Sequence, residues 1–363
     1  MSKAADLANL IGNINAGGGG VNRNVIINGA MNVAQRATSS TGIGASSGYF
    51  TCDRWHLDFG STAGRLTMTQ DSSAPSGFAN SLKLECTTAD TSIAAGEAAL
   101  IQHRIEGQNL QQFAKGTSDA KPFAVSFYVK GNASATYACE LFDRDNTRQA
   151  SKLFNVTTDW TRIELTFDAD TTGAFDDDNA RSLDLAIFLH AGSNFTSGTL
   201  NQTFASSTNA NRAVGISSFF DSTDRTFFIT GVQLEVGQNP TEFEHEPLER
   251  TLLKSRRYFT KKETGVGFGA LGVGGHIIGS TTANVLVPLP VEMRSQGTLT
   301  SGGSIRCTAP NADTVTLALA YGSTHIPQIT ATDSGGFTDG GGNGVAMMGN
   351  NDDDAFIAFD AEL

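Results

Sequence analysis

The sequence is short of charged residues and of proline. Only 17% of its 363 residues are charged, and it has 8 prolines against 40 glycines. Its surface must therefore be built mostly from Ser, Thr, Asn, Gln and Gly, which favours β-structure and polar turns over charged helices. With about 100–200 residues per domain, a chain of this length is expected to form two or three domains.

The sequence also lacks an excess of basic residues and any long apolar run. Its 25 Lys and Arg face 37 Asp and Glu, for a net charge of −12, which opposes attraction to nucleic acid or to anionic membranes. No segment approaches the roughly 18–20 apolar residues that span a bilayer. The start MSKAADLANLIGNINA lacks the basic-then-apolar order of a secretory signal. We therefore predict no nucleic-acid partner, no membrane insertion and assembly in a cytoplasm.

Metal-binding patterns are missing as well. The four cysteines are far apart without a CxxC pair, and the six histidines show no HxH or HxxxH spacing. This distribution predicts buried free thiols and gives little support to a zinc site. No cofactor and no metal are predicted.

Residues 3–14, KAADLANLIGNI, have apolar side chains at helical spacing and predict one short amphipathic helix. The run AGGGG at 16–20 predicts a hinge, so residues 1–23 are expected to form an attachment segment. A helix of this length is marginal in water by itself. We expect it to bind a partner through four residues, Leu7, Leu10, Ile11 and Ile14.

Residues 24–245 consist of short alternating stretches separated by polar clusters, such as PFAVSFYVKG at 122–131. Nine or more strands without a long intervening helix predict an antiparallel β-sandwich of jelly-roll type. NVIING at 24–29 is predicted as the first of these strands, and FFITGVQLEVG at 227–237 as a strand that alternates throughout.

Residues 246–262 are predicted to form a helical connector. Glutamates at 242, 244, 246 and 249 surround its start, and Lys254, Arg256 and Arg257 lie about two turns later, an order that complements the helix macrodipole. Pro247 is predicted at its first position. The glutamates with His245 also resemble a metal site, but their order along a helix accounts for them better. Residues 263–363 then predict a second, glycine-rich β domain, which makes the whole protein all-β apart from two short helices.

Two stretches imitate catalytic motifs. GASSG at 44–48 matches the GxSxG nucleophile pattern, and GFGALG at 267–272 matches GxGxxG. Both need a following helix, whereas their surroundings predict a loop and a turn followed by a strand. The acidic runs 176–178 and 352–354 are interpreted as solvated loops rather than calcium sites, and no pair of carboxylates stands out for glycoside hydrolysis. For Trp55 and Trp160, core packing is favoured over a sugar-stacking platform.

Several segments in order resemble bacteriophage tail-fibre and related virion appendage proteins. They are NVIINGAMNVAQR (24–36), DRW (53–55), FITGVQLEVG (228–237), PTEFEHEP (240–247), LLKSRRYF (252–259) and, more weakly, FIAFDAEL (356–363). The resemblance implies a jelly roll similar to carbohydrate-binding modules. Many such modules have acidic residues that hold calcium in their first and last strands, whereas this sequence has Ala30-Met31-Asn32 and Thr230-Gly231-Val232 there.

The resemblance implies a non-enzymatic structural and adhesion protein of a virion, a tail fibre or short tail spike. Its expected partners are other virion proteins, its own copies in a homotrimer, and a bacterial surface glycan or protein. Contact with the host is expected in the C-terminal domain, at Tyr321, His325, Asp352 and Asp353. Two alternatives remain open, a capsid fibre or decoration protein and a polysaccharide depolymerase.

Overall fold

The computed structural model of the protein describes residues 3–15, 22–308, 314–337 and 344–363. The chain divides into two compact units, Met1–Thr251 together with Leu363, and Leu252–Glu362. The division falls inside the predicted connector, and the boundaries predicted at residues 23, 245 and 262 stay predictions. The AGGGG run lies outside the described residues.

The first unit begins with helix α1 (Lys3–Asn15) and continues with strands and one short helix. The strands are β1 (Ser39–Ile43), β2 (Gly48–Tyr49), β3 (Trp55–Gly60), β4 (Arg65–Asp71), β5 (Ser81–Thr88), β6 (Ala98–Glu106), β7 (Phe123–Gly131), β8 (Ala135–Asp143), β9 (Arg148–Val156), β10 (Thr161–Phe167), β11 (Arg181–Ala191), β12 (Ala205–Ser206) and β13 (Thr226–Val236). Helix α2 (Ser193–Thr196) follows β11, and four single 3₁₀ turns lie at 107–109, 111–113, 209–211 and 219–221.

These strands form two antiparallel sheets. The six-stranded sheet has the order β1-β4-β5-β13-β7-β10, and the seven-stranded sheet has the order β12-β9-β8-β11-β6-β3-β2. Alternate side chains of both sheets meet in one apolar core that contains Trp55, Phe127, Leu141 and Leu185. The predicted all-β fold with a jelly-roll sandwich is confirmed, and three of the buried cysteines, Cys52, Cys86 and Cys139, belong to this core.

Two sequence-based expectations about its strands are wrong. NVIING forms no strand but runs beside β13, where the Val25 amide donates to the Leu234 carbonyl at 3.0 Å. The alternation in β13 also breaks at Gly231, which has φ 63°. Phe227 and Ile229 point into the core before this residue, and Val232 and Leu234 do so after it. The register shift marks a β-bulge, for which glycine is suited because it tolerates positive φ.

The second unit is also built from antiparallel strands. They are β14 (Phe259–Glu263), β15 (Ala270–Ile277), β16 (Thr282–Leu286), β17 (Thr298–Gly302), β18 (Ile305–Cys307), β19 (Thr316–Tyr321), β20 (Gln328–Thr332), β21 (Gly344–Gly349) and β22 (Phe356–Asp360). One sheet has the order β14-β22-β17 and the other β18-β21-β15-β16-β20-β19. Their shared core contains Val285, Ile329, Met347 and Phe359, so the predicted second β domain is confirmed.

Helix α3 (Leu248–Arg256) is the predicted helix of the connector. Pro247 precedes it, and its carbonyl accepts from the amides of Arg250 and Thr251, so this proline caps the helix rather than occupying its first turn. Upstream, the Glu244 carboxylate accepts from the amides of Asn22 and Asn24 at 2.6 and 3.0 Å. That glutamate therefore joins two distant segments of the first unit instead of complementing the helix dipole. None of the described helices is long and apolar enough to cross a membrane.

Candidate functional site

The outer face of the seven-stranded sheet carries an ordered array of polar side chains. In β6 the side chains of Ala99, Ile101 and Ile105 enter the core, so those of Gln102 and Arg104 point outward. Strand register places one outward row across five strands: His56, Gln102, Ala186, Glu140 and Ser151. The next row contains Arg104, Asp184, Phe142 and Gln149.

Only part of this outer face is covered by protein. Segment 192–217 lies over an apolar part, where Phe195, Ala213 and Ile216 pack against Leu100 and Phe188. The remaining part is polar. We call it the polar face and define it by eight side chains: His56, Gln102, Arg104, Glu140, Arg144, Arg181, Asp184 and Arg212.

Ion pairs hold most of the polar face in place. The Arg212 guanidinium donates to both oxygens of Glu140, at 2.8 and 2.6 Å. Asp184 accepts from Arg144 Nε at 2.5 Å and from Arg181 Nε and Nη2 at 2.5 and 2.6 Å. Glu140 and Asp184 are both fully buried. Paired geometry of this kind fixes the direction of each donor before any ligand arrives.

The guanidinium groups also pack on rings. Arg144 and Arg212 lie 4.4 and 4.8 Å from the centroid of Phe142, and Arg212 lies 5.1 Å from that of Phe188. Burial alone would lower the pKa of Arg212, but the Glu140 carboxylate outweighs burial and raises this pKa above its ordinary value. Burial raises the pKa of Glu140, and the hydrogen bonds and charge of Arg212 oppose this rise. The Arg212 guanidinium keeps its charge, and stacking and hydrogen bonds restrict its rotamer.

A corner of the polar face differs in chemistry. Arg104 donates to Gln102 Oε1 from Nε at 3.2 Å and from Nη2 at 3.1 Å, and its Nη2 also lies 3.0 Å from His56 Nδ1. Burial, followed by the charges of Arg104 and Arg181, lowers the pKa of His56 to about 3, so this imidazole is neutral at ordinary pH. Tyr49 packs edge-on against His56, with centroids 4.9 Å apart.

Guanidinium groups bind both carboxylates of the polar face. This limits the chemistry that the two carboxylates can carry out. A general acid or base must reach the substrate with a free oxygen. Glu140 and Asp184 instead serve as fixed acceptors that orient arginines. The arrangement offers directed N–H donors beside aromatic rings, a set suited to holding hydroxyl and carboxylate oxygens rather than to transferring protons.

A second ionic cluster of the first unit surrounds Lys115. Its fully buried ammonium lies 2.6 Å from Asp143 Oδ2 and 3.1 Å from Asp170 Oδ2, and it donates to the carbonyls of Thr172 and Gly173 at 2.8 and 2.7 Å. Arg148 donates to both oxygens of Asp170. This cluster ties β8, β9 and the loop after β10 together.

One group of described residues has the composition of a metal site. The candidate ligand atoms of Asp90, Glu97 and His190, all buried, lie within 4.8 Å of one another. Hydrogen bonds account for this arrangement. His190 Nδ1 is 2.8 Å from Ser218 Oγ and its Nε2 is 3.2 Å from Glu97. Asp90 accepts from Thr62 Oγ1 and from the Ala63 amide, each at 2.8 Å.

The four predicted receptor-contact residues lie on two loops of the second unit. Tyr321, which is 72% exposed, ends β19, and His325 in the next loop is 3.5 Å from Glu292. Asp352 and Asp353 lie between β21 and β22, where Asp352 accepts from the Ser304 amide. Strand register puts both loops at the same end of the six-stranded sheet. Three strand spacings, about 14 Å, separate β21 from β20, so the four residues do not form one cluster.

The predicted attachment residues keep apolar surface exposed. Leu7 and Ile11 are 57% and 50% exposed, and Leu10 is half-buried. The side chain of Ile14 lies outside the described residues. The attachment role stays a prediction.

The structure also places the two motif-like stretches and the two tryptophans. GASSG lies in the loop from β1 to β2 and GFGALG leads into β15, so neither precedes a helix. Trp55 is fully buried in the core as predicted. Trp160 is instead half-buried on the outer face of the six-stranded sheet of the first unit, 6.1 Å from Phe228.

Sequence reasoning missed the polar face entirely. Its residues are spread from 56 to 212, and each lies within a stretch that the sequence shows only as an alternating strand or a polar loop. One local signal was present. The outward positions of AALIQHRIE and ATYACELFD carry charged and amide side chains inside strongly apolar strands, a combination that marks an outer face with buried polar contacts.

No protein-family model matches the chain, and no curated protein matches it. Among solved structures, the enzymatically active domain of tailspike protein 4 of bacteriophage CBA120 is similar at a TM-score of 0.31 and 13% identity. That similarity covers 59% of this chain and 21% of the tailspike chain.

Carbohydrate-binding modules are similar to the same extent. A module of family 61 in complex with beta-1,4-galactotriose has a TM-score of 0.32 and 9% identity, over 59% of this chain and 99% of the module. The family 11 module from Clostridium thermocellum, in complex with a mixed-linked tetrasaccharide, has a TM-score of 0.28 and 11% identity, over 58% of this chain and 99% of the module. These similarities concern the fold alone.

Proposed function

We propose that the protein is a non-enzymatic structural and adhesion component of a phage virion, a tail fibre or short tail spike. It binds a bacterial surface glycan on the polar face of its first unit. The observation that carries this proposal is the set of guanidinium and amide donors held in fixed directions by buried Glu140 and Asp184. Sugars present many hydroxyl oxygens with defined directions, and donors fixed in advance bind them without a large ordering cost.

The assignment to a virion rests on the ordered sequence segments from NVIINGAMNVAQR to LLKSRRYF. The exposed apolar side chains of Leu7 and Ile11 support attachment through helix α1, because a virion protein or another copy of the chain would bury them. In this proposal the protein is assembled into the virion in the bacterial host cytoplasm. The copies form a homotrimer, so several weak glycan contacts act together.

The test of glycan binding uses the full chain on an array of bacterial surface polysaccharides. We expect selective binding that Gln102→Ala weakens by about tenfold, since Gln102 joins Arg104, Arg181 and Asp58. Gln238→Ala, at an exposed position after β13, is the control and should leave binding unchanged. Absence of binding to every polysaccharide would contradict the proposal, and release of shorter oligosaccharides would favour a depolymerase instead.

The test of the virion role measures the mass of the full chain by light scattering. It also asks whether the chain competes with intact phage for adsorption to cells. A trimer that blocks adsorption is expected for a fibre or spike. A monomer without effect on adsorption would contradict this role and favour a decoration protein of the head.

A further inference from the structure

Three buried titratable side chains meet in the first unit, away from the polar face. Asp90 follows β5, Glu97 directly precedes β6, and His190 lies near the end of β11. Because β6 and β11 are paired, with His190 opposite Ala99, the last two side chains come from adjacent strand ends. One nitrogen or oxygen atom of each side chain lies within 4.8 Å of such an atom of both others. Their positions fit ligands of a single ion.

The charge of this cluster is not balanced. Five other buried carboxylates of the first unit form an ion pair with a lysine or an arginine: Asp143, Asp170, Glu140, Asp184 and Glu235. Within the described ranges of the chain, Asp90 and Glu97 have no such partner, and Glu97 pairs with His190 alone. A proton on His190 would balance one negative charge at most. At least one buried negative charge therefore has no counter-charge, which is costly in a folded protein.

Hydrogen bonds fix the directions of the three side chains. His190 Nδ1 lies 2.8 Å from Ser218 Oγ, while its Nε2 lies 3.2 Å from Glu97 Oε2. A metal-bound imidazole commonly donates its other ring N–H to an oxygen, and Ser218 is placed to accept it. The carboxylate of Asp90 is held in turn by a hydroxyl and by a backbone amide. The arrangement thus contains both the ligands and the groups that orient them.

The donor set indicates the class of ion. One imidazole nitrogen with two carboxylates suits Zn²⁺ or Mn²⁺, whereas Ca²⁺ usually takes about six to eight oxygen ligands. Ligands about 2.0–2.2 Å from Zn²⁺ lie at most about 4.4 Å apart. Donor atoms within 4.8 Å of one another need only small side-chain rotations to reach this geometry.

We propose that Asp90, Glu97 and His190 bind one divalent transition-metal ion, Zn²⁺ or Mn²⁺. The ion supplies the positive charge that the cluster lacks and joins the loop between β5 and β6 to the end of β11. Its role is structural. The site is independent of the proposed glycan binding, so either proposal can fail without the other.

The test uses the untagged full chain, treated with EDTA and dialysed into buffer without chelator. Calorimetric titration with Zn²⁺, Mn²⁺ or Ca²⁺ measures stoichiometry and affinity. We expect one equivalent of Zn²⁺ or Mn²⁺ to bind, and Ca²⁺ to bind much more weakly. The melting temperature should rise by about 5–10 °C when the bound ion is in about 100-fold excess over its dissociation constant. Binding of neither Zn²⁺ nor Mn²⁺, or of Ca²⁺ alone, would overturn the proposal.

Two variants separate a metal site from a cluster that is only hydrogen-bonded. Ser218→Ala should weaken Zn²⁺ binding about 10- to 100-fold, because it removes the group that orients the His190 ring. Glu97→Gln should weaken it further, because it removes a ligand. Without metal, however, Glu97→Gln should leave the melting temperature unchanged or raise it, since it removes one of two buried negative charges. A lower melting temperature together with unchanged Zn²⁺ binding would contradict the proposal.

His325→Gln is the matched control for adventitious binding. His325 lies 3.5 Å from Glu292 in an exposed histidine–glutamate pair of the second unit, and its loss should leave the bound equivalent of Zn²⁺ unchanged. Loss of this equivalent in His325→Gln would assign the ion to the surface and overturn the proposal. If Glu97→Gln does not fold, Asp90→Asn replaces it, because one amide oxygen can still accept both bonds now made to Asp90 Oδ2.

Discussion

The outer faces of two sheets in this protein hold their outward side chains in different ways. On the polar face of the first unit, buried Glu140 and Asp184 bind three arginines: Arg181 on the same strand as Asp184, and Arg144 and Arg212 in loops. On the six-stranded sheet of the second unit, register places Val273, Leu286, Gln328 and Tyr321 in one outward row.

The side chains of this outward row in the second unit are largely exposed and are held mainly by their own backbone. Val273 is 51% exposed, Leu286 39% and Tyr321 72%. A side chain in such a row adds little to stability and is free to be used, or lost, as a contact surface. The comparison teaches that some outward side chains contribute to the free energy of unfolding and others do not. Only the side chains that contribute are held in position before a ligand binds.

The largest expected effect comes from removing the acceptor of the Arg212 pair. Glu140→Ala leaves the Arg212 guanidinium desolvated beside Phe142 and Phe188, and we expect a loss of about 3–5 kcal/mol in the free energy of unfolding. Urea unfolding measures it. Glu140→Leu removes the charge but fills the space, and with Arg212→Met in addition most of the loss should be recovered. A loss below about 1 kcal/mol for Glu140→Ala would show that the polar face does not contribute to folding.

A smaller effect is expected at the Lys115 cluster, and it depends on pH. Burial alone would raise the pKa of Asp170, but hydrogen bonds from Arg148, the Thr172 amide and Lys115 outweigh burial and lower it below 3.8. The carboxylate therefore stabilises the fold above the pKa of the unfolded state, and this contribution is lost as the pH falls through the lower folded-state pKa.

We accordingly expect Asp170→Asn to cost about 2–3 kcal/mol at pH 7 and progressively less below about pH 4. Unfolding by urea between pH 7 and pH 2 measures the difference from wild type. A difference that does not change with pH would contradict the assigned ionisation. A destabilisation by Asp170→Asn that grows toward low pH would mean that folding raises the pKa of Asp170 instead of lowering it.

An exposed ion pair of the same unit should matter far less. Arg225 Nη2 lies 2.5 Å from Asp221 Oδ2, in the same distance range as the Arg212 pair, but the Asp221 side chain is 43% exposed. We expect Asp221→Ala to cost at most about 1 kcal/mol, because water screens the pair and compensates for its loss. Measured beside Glu140→Ala, this variant separates the effect of burial from that of distance. Equal losses would contradict the comparison.

The smallest effect on stability is expected at Tyr321 in the exposed row. Tyr321→Ala should change the free energy of unfolding by no more than about 0.5 kcal/mol. Adsorption of phage carrying this variant tests the predicted host contact separately. A marked loss of stability would mean that the row is covered by another part of the assembly.

Much of the fold could be predicted from short stretches. AALIQHRIE, ATYACELFD and GVAMMG each match one observed strand residue for residue, because alternation and β-branched or aromatic residues act locally. Other strands gave weaker signals. SSTGI and RQASKLFNV are polar enough to resemble loops, and they become β1 and β9 because neighbouring strands supply hydrogen bonds and cover one side of each.

The candidate site could not be predicted in the same way. Gln102, Glu140, Asp184 and Arg212 are separated by 28 to 44 residues in the chain, and nothing in their local spacing links them. They meet because β6, β11 and β8 are neighbours in that order, although β7 follows β6 in the chain and lies in the other sheet. The bulge at Gly231 shows the same limit. The sequence predicts one continuous alternation through 227–237, but the positions that point into the core change from odd to even numbers after the glycine.

By itself the sequence determined the all-β class, the two β-rich regions, the short helix after Pro247 and the buried state of Trp55 and the cysteines. These follow from composition and local periodicity, which act over a few residues. Only the tertiary structure decided which outward side chains meet, and that Glu140 and Asp184 orient arginines rather than act alone. The reason is physical: the register between strands distant in sequence sets the distances between charges, and those distances, together with burial, determine the strength of each interaction.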